Sequence, residues 1–400
     1  MTIDRITKAR GLRATCRCVT TKHFHARGKR IGMTSNANQS KIASMDTSLL
    51  QHHEETAFGP GMPSLVVVGG SNSLLKNGWV DKLKEVHPDS DGVINLSIGA
   101  ATSAMGLYRL LTCATLPDNP VILWEYALNE ANYFSHRQPA KVLIHHTQWF
   151  LETCARRGYR VLPVVLYNKS EANSAEQVKY RDLLTQTFAA YGLKPVDATE
   201  LWRKDFSHLG VDRLYADNPH YSVETPFPLA LAQAVLQRSR SATVPQRGRD
   251  LEKQFSGKDL RIVFPDSRTP EPFVNRILSC DIFPLGADLH FSLSGRLLAC
   301  FLISSRGEPA ITFHSDRGQK GPYSAQISPK AGGPVRQLKH LLLWSPQDPP
   351  LVARGDLFLS PQPSLGTTPM VQHTMAWNPL EEGGAPGSGG LIGLLAEVDA

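Results

Sequence analysis

No stretch of this chain approaches the roughly 18 consecutive apolar residues that a membrane-spanning helix requires, so no membrane span is expected. The first residues also lack the continuous apolar segment of a secretory signal, and cytoplasmic residence is the expectation. Cysteine is sparse and scattered, at Cys16, Cys18, Cys113, Cys154, Cys280 and Cys300. Only the first two lie close together, as a C-x-C pair followed by His23 and His25, and no second pair stands at zinc-like spacing. Free thiols are therefore expected rather than a disulfide framework, and no metal site. The phosphate-cradling pattern G-x-x-x-x-G-K-[ST] is absent, no internal repeat is found, and nothing calls for a cofactor.

Acid is nearly missing from one region. Residues 1–45 hold ten Lys and Arg but a single acid, Asp4, a balance of +9 where the whole chain carries +7. The remainder is therefore −2, and the basic character belongs to an N-terminal arm. Nucleic-acid binding depends on clustered cations that neutralise phosphates, so no nucleic-acid partner is expected for the body of the protein. The arm, taken as residues 1–60, is expected to be disordered. It has no sustained amphipathic period of the kind a transit peptide shows.

A hydrophobic fraction of 41% with 20% charged residues is ordinary for a globular protein, and 400 residues suggest two domains. From 61 to 240, short apolar runs alternate with longer amphipathic segments, the pattern of a parallel sheet covered by helices. Strands are expected at 65–68, 92–97, 120–125, 160–166 and 194–197, and helices near 73–86, 102–113, 138–157, 174–190 and 223–238. A polar, basic linker follows over 241–257. From 258 to 378 the text is strand-like and broken by prolines, so a β-rich domain is expected. There Leu289, Phe291 and Leu293 alternate with polar residues, Ser294-Gly295 can turn the chain, and 297–303 can return as a partner strand. Residues 379–400 read as a flexible, Gly-rich tail.

The strand-to-helix turns of an open parallel sheet lie on one rim, where ligands bind. Ser71 follows the first run in Gly69-Gly70-Ser71-Asn72-Ser73, Gly99 the second and Asn129 the third. A serine hydroxyl needs a base to take its proton and a third group to orient that base. Asp217-Asn218-Pro219-His220 supplies both from one loop, with His220 as base and Asp217 as orienter. An oxyanion formed at Ser71 can be met by the backbone N–H groups of Ser71 and Gly99 and by the Asn129 carboxamide. Other readings exist for each residue. Ser71 or Ser73 can cap a helix, with Ser73 a second candidate nucleophile. Gly99 can simply end a strand, Asn129 can cap the next helix, and Asp217 with His220 can form a surface turn.

These four blocks, in this order, resemble the SGNH hydrolases, or GDSL esterase and lipase superfamily. The resemblance covers about 64–240. Gly69-Gly70-Ser71 looks like the serine block with Gly70 in place of aspartate. Asn95 to Gly99 looks like the glycine block, Ala127 to Glu130 the asparagine block with Ala127 for glycine and Glu130 for aspartate, and Asp217 to His220 matches fully. The resemblance implies a three-layer α/β/α, flavodoxin-like parallel sheet, here with a C-terminal β-rich domain. It implies a serine ester hydrolase with Ser71, His220 and Asp217 as catalytic residues and Ser71, Gly99 and Asn129 as the oxyanion hole. The expected substrate is a small ester or an acylated, in particular acetylated, carbohydrate. An O-acyltransferase acting on a glycan and a catalytically inactive binding protein are the alternatives. Asn72, Glu130 and Tyr133 are candidate substrate contacts. Glu125 and Glu130 can also pair with arginine, and His145 and His146 read as packing or solvent-facing helix residues.

Overall fold

The structure, a computed structural model of the chain, describes residues 61–174, 178–305, 307–327, 336–363, 373–377 and 389–400. The basic arm over 1–60 and residues 379–388 of the expected tail lie outside the described residues.

Five strands, β1 (Leu65–Gly69), β2 (Val93–Asn95), β3 (Val121–Glu125), β4 (Arg160–Val165) and β5 (Val196–Asp197), form a parallel sheet in the order β2-β1-β3-β4-β5. This is the flavodoxin-like order. The connecting helices are α1 (Trp79–Val86), α2 (Ser103–Thr112), α3 (Ala127–Ser135), α4 (Ala140–Arg156), α5 (Lys169–Ala172), α6 (Lys179–Ala190), α7 (Ala198–Asp205), α8 (Val211–Leu214) and α9 (Phe227–Ser239), with α10 (Arg249–Phe255) beyond them. β1 and β3 are buried along their whole length, as a sheet covered on both faces requires. Their side chains alternate between two cores. Val66, Val68, Ile122 and Trp124 meet α2, α4 and α6 through residues such as Leu107, Phe150 and Phe188. Leu65, Val67, Val121 and Leu123 meet α1 and α9 through Trp79, Leu83, Phe227 and Leu231.

The remaining strands are β6 (Lys258–Val263), β7 (Glu271–Val274), β8 (Ser279–Ile282), β9 (Leu289–Ser305), β10 (Ala310–Ser315), β11 (Gly318–Ser324), β12 (Arg336–Leu342), β13 (Leu351–Gln362), β14 (His373–Trp377) and β15 (Gly390–Asp399). Apart from the separate β7–β8 hairpin they form one antiparallel sheet. β9 is its spine, pairing with β13, β12 and β15. The fold class is thus a parallel α/β sheet followed by a β-rich C-terminal sheet, as the pattern of the sequence indicates.

Three expectations are corrected. Ser294-Gly295 does not turn, because β9 runs unbroken through it. Gly295 lies where a Cβ would stand 2.3 Å from the Glu397 carbonyl oxygen, so glycine serves a close approach of two strands there. The tail is not loose over its last residues, since β15 pairs with β6 and β9 and is buried from Gly390 to Val398. The stretch 241–257 contains α10, whose Phe255 is buried with its ring 4.6 Å from that of Trp149. One apolar core runs from α2, α4 and α6 into the C-terminal sheet, joining Leu107 and Phe150 to Leu298, Phe301, Ile303 and Leu395. No helix among the described residues is long and apolar enough to cross a membrane.

Candidate active site

β1 ends at Gly69, and the chain enters a single 3-10 turn, Ser71–Leu74, well before α1 begins. The backbone N–H of Ser71 opens this turn and so has no partner within it. Gly70 N–H donates to the backbone oxygen of Glu125 at 3.2 Å and to its Oε2 at 3.0 Å, and Ser73 Oγ donates to the same Oε2 at 2.8 Å. Glu125, the last residue of β3, is completely buried. Burial pushes its carboxyl up to about 7, against the opposing pull of those hydrogen bonds and of the Arg181 charge. Ser73, the other candidate nucleophile, is thereby engaged with a buried carboxylate and is itself buried.

Asp217 and His220 lie between α8 and α9. The loop is closed by Ala216 N–H donating to His220 O at 2.9 Å and by His220 N–H donating to Asp217 Oδ1 at 2.9 Å. Both Asp217 carboxylate oxygens stand 2.9 Å from His220 Nδ1, and His220 Nε2 stands 2.9 Å from Ser71 Oγ. An Nδ1–H imidazole held this way leaves Nε2 to accept the serine proton. The Asp217 side chain is 58% exposed and that of His220 28%, so the pair sits at the surface end of the site.

Asn72 fixes the serine turn to the histidine loop. Its Nδ2 donates to Pro219 O at 2.7 Å and its Oδ1 accepts from Tyr221 N–H at 3.0 Å. From the other side, Asn218 accepts Lys169 N–H at its backbone oxygen and Ser170 N–H at its Oδ1, at 2.8 and 3.0 Å.

The segment after β2 continues alongside β1. Leu96 N–H donates to Val67 O at 2.8 Å and Ile98 N–H to Gly69 O at 2.9 Å, so Gly99 comes beside Gly70 and the serine turn. Ala100 then takes a left-handed conformation at φ 52, uncommon for a residue with a Cβ. Asn129 lies in the first turn of α3, not at a bare strand end. Its Nδ2 donates to Ala101 O at 2.9 Å, which leaves the second amide hydrogen free to point elsewhere. A Cβ on residue 70 would lie 2.6 Å from both amide heteroatoms of Asn129. A side chain at 70 would require the Asn129 carboxamide to move from this position.

Ser71, His220, Asp217, Gly99 and Asn129 are therefore brought together at the carboxyl ends of β1, β2 and β3, beside the point where the strand order reverses. Of the expected substrate contacts, Asn72 and Tyr133 lie beside these residues and Glu130 is sealed away from them. Glu130 has no exposure; it accepts Ser103 N–H at 2.8 Å, Thr147 Oγ1–H at 3.2 Å and the Tyr180 hydroxyl, and burial raises its pKa. Asn72 ties two backbone segments together. Tyr133 donates its hydroxyl to Ala100 O at 3.0 Å, so it holds the loop after Gly99. His146 is fully buried, as a packing residue, and His145 contacts Glu397 at 3.4 Å. Among the described residues no cluster of three or more His, Cys, Asp or Glu is arranged to hold a metal ion.

No family model and no curated protein matches the sequence. Solved structures do. A two-domain esterase active on acetylated mannans superposes with a TM-score of 0.50 at 10% identity, covering 84% of this chain and 91% of its own. The likeness is one of fold: a parallel α/β sheet followed by a second, β-rich domain. A member of the lipolytic G-D-S-L family from Veillonella parvula (TM-score 0.35, 13% identity, 43% of this chain and 96% of that one) is also similar. So is an acetylxylan esterase from Geobacillus stearothermophilus (TM-score 0.36, 15% identity, 44% and 94%). On this framework, sequence reasoning missed what Glu125 and Asn72 do. The position of Glu125 at the end of an apolar run was a signal that a carboxylate closes β3. Nothing local shows that Asn72 bonds residues 147 and 149 positions away.

Proposed function

We propose that the protein is a serine ester hydrolase working through an acyl-serine intermediate on acetyl groups of a carbohydrate or small ester. The observation that carries this is the unbroken relay from Ser71 Oγ through His220 Nε2 and Nδ1 to Asp217, every link at 2.9 Å. The SGNH fold and its order of blocks support it.

Ser71 Oγ attacks the ester carbonyl carbon while its proton passes to His220 Nε2. The imidazolium so formed is stabilised by Asp217. The carbonyl oxygen becomes an oxyanion and meets the N–H groups of Ser71 and Gly99 and the Asn129 amide. The C–O bond to the alcohol then breaks, and the leaving oxygen takes the proton from His220. Water repeats the sequence: it gives a proton to His220, attacks the acyl carbon, and releases the acid and free Ser71. No cofactor enters these steps.

An intact relay speaks against the inactive binding-protein reading, because a surface turn has no need to aim Nε2 at a serine. Replacing Ser71 with alanine tests the proposal, with 4-nitrophenyl acetate as substrate. Loss of turnover by about 10⁴-fold or more in a variant with unchanged circular dichroism is expected. Unchanged hydrolysis overturns it.

A further inference from the structure

We propose that the C-terminal sheet completes the catalytic unit: His340, on β12, is a positioning residue for the loop 99–102 that carries the Gly99 oxyanion donor. This rests on the esterase function above.

The loop is held from both halves of the chain. On its own side, Tyr133 donates to Ala100 O and Asn129 to Ala101 O. The next residue, Thr102, is the N-cap of α2, yet its side chain makes no capping bond. A threonine hydroxyl in that position ordinarily accepts a backbone N–H of the first turn, an interaction worth about 1 kcal/mol. Here Thr102 Oγ1 lies 3.4 Å from His340 Nε2, and both residues are fully buried. The His340 ring also stands edge-on to Tyr133, with centroids 5.6 Å apart. One imidazole thus touches both the threonine that ends the loop and the tyrosine that holds its middle.

A second tether reaches the start of the same segment. Arg109, buried on α2, donates from Nε to Leu96 O at 3.2 Å and from its terminal nitrogen to Ile277 O, in the β7–β8 hairpin, at 3.4 Å. Residues 96–102 are therefore fastened to groups from beyond residue 270, at Thr102 directly by His340 and at Leu96 through Arg109 to Ile277. Ala100 sits between those ends in its left-handed conformation. Such a backbone persists only where its surroundings over-determine it, and these contacts supply that determination. Moving an oxyanion donor by an ångström weakens transition-state binding without changing how the ground-state ester sits.

The test uses the full chain with 4-nitrophenyl acetate, and fluorophosphonate titration to count working sites. Thr102→Val, His340→Leu and their double variant are each expected to lower kcat per titrated site about tenfold or more, with KM within about twofold. The double variant should be no worse than the poorer single, because the contact that Thr102→Val removes is already gone in His340→Leu. His340→Gln, which still offers Thr102 a hydrogen-bonding group, should recover most of the loss. Wild-type kcat in Thr102→Val and His340→Leu overturns the inference, as do losses confined to KM or losses that add. Should His340→Leu fail to fold, the hydroxyl-to-methyl change in Thr102→Val decides alone. An inactive wild type, or an active Ser71→Ala variant, would instead remove the esterase function itself, so the two failures are distinguishable.

Discussion

A carboxyl group cut off from water is unfavourable when ionised unless charges or donors compensate it, and Glu125 has donors at one oxygen only. Its Oε2 takes Gly70 N–H and Ser73 Oγ–H, while Oε1 is buried and has no partner among the described residues. With a folded-state value of about 7 against an ordinary 4.5, Glu125 contributes stability that is complete below pH 4.5 and is lost as pH rises through 7. At about 1.4 kcal/mol per unit this amounts to about 3 kcal/mol. Replacing Glu125 with glutamine, which cannot ionise, should therefore flatten the stability profile between pH 4.5 and 7 and leave the variant less penalised than the native chain at pH 8. Denaturant midpoints measured across that range check it, and parallel profiles for the two proteins would contradict it. At this scale the sequence was legible where chemistry is local. Asp217 and His220 share one loop, and a D-x-x-H spacing suffices to suggest that they bond. Glu130 was misread because its partners Ser103, Thr147 and Tyr180 come from three helices that no short motif links.

Between elements, glycine was the main source of error, and for a single reason. A glycine in a strand-like run reads as punctuation, but the same residue also lets two backbones approach within the radius of a methyl group. Gly295 pairs with Ala353 of β13 on one side and Val398 of β15 on the other. Gly390 and Gly393 of β15 likewise face Phe283 O at 2.7 Å and Ile262 Cγ2 at 3.0 Å from a built Cβ. These glycines make the sheet fit, and counted as composition they look like a loose tail. Gly295→Ala should accordingly cost about 2–3 kcal/mol by forcing β9 and β15 apart, read as a lower midpoint in chemical denaturation with an unchanged slope. Gly286→Ala serves as the control, since nothing lies within 4 Å of a Cβ there; equal effects at both sites would argue against the steric account. The parallel sheet, by contrast, was readable, because strands buried on both faces must be continuous apolar runs and their connections must be helical.

Across the whole molecule, the decisive contacts join residues that are far apart in the chain, which is why a sequence divides into a catalytic part and an appendage while the structure does not. Trp149 on α4 donates its indole N–H to Glu397 on β15 at 3.0 Å across 248 residues. His145 approaches the same carboxylate from α4, and Arg296 and Lys258 approach it from β9 and β6. Burial alone would raise the Glu397 pKa, but these partners outweigh it and hold the group down at about 2. Its contribution is present above pH 4.5 and fades only as pH falls toward 2. Around this cluster the apolar core passes without a break from Leu107 and Phe150 to Phe301 and Leu395, so neither half can melt without exposing the other. Glu397→Ala would strand a buried indole N–H and two cations, of which Arg296 and Lys258 are partly exposed and can recover water. The cost should be about 3 kcal/mol, at the lower end for a broken buried pair. Because the core is shared, calorimetry of the variant should show one transition at a lower temperature rather than the early loss of the C-terminal sheet alone. Two resolved transitions would mean that the halves are independent, and would also weaken the case that His340 governs the loop beside Ser71.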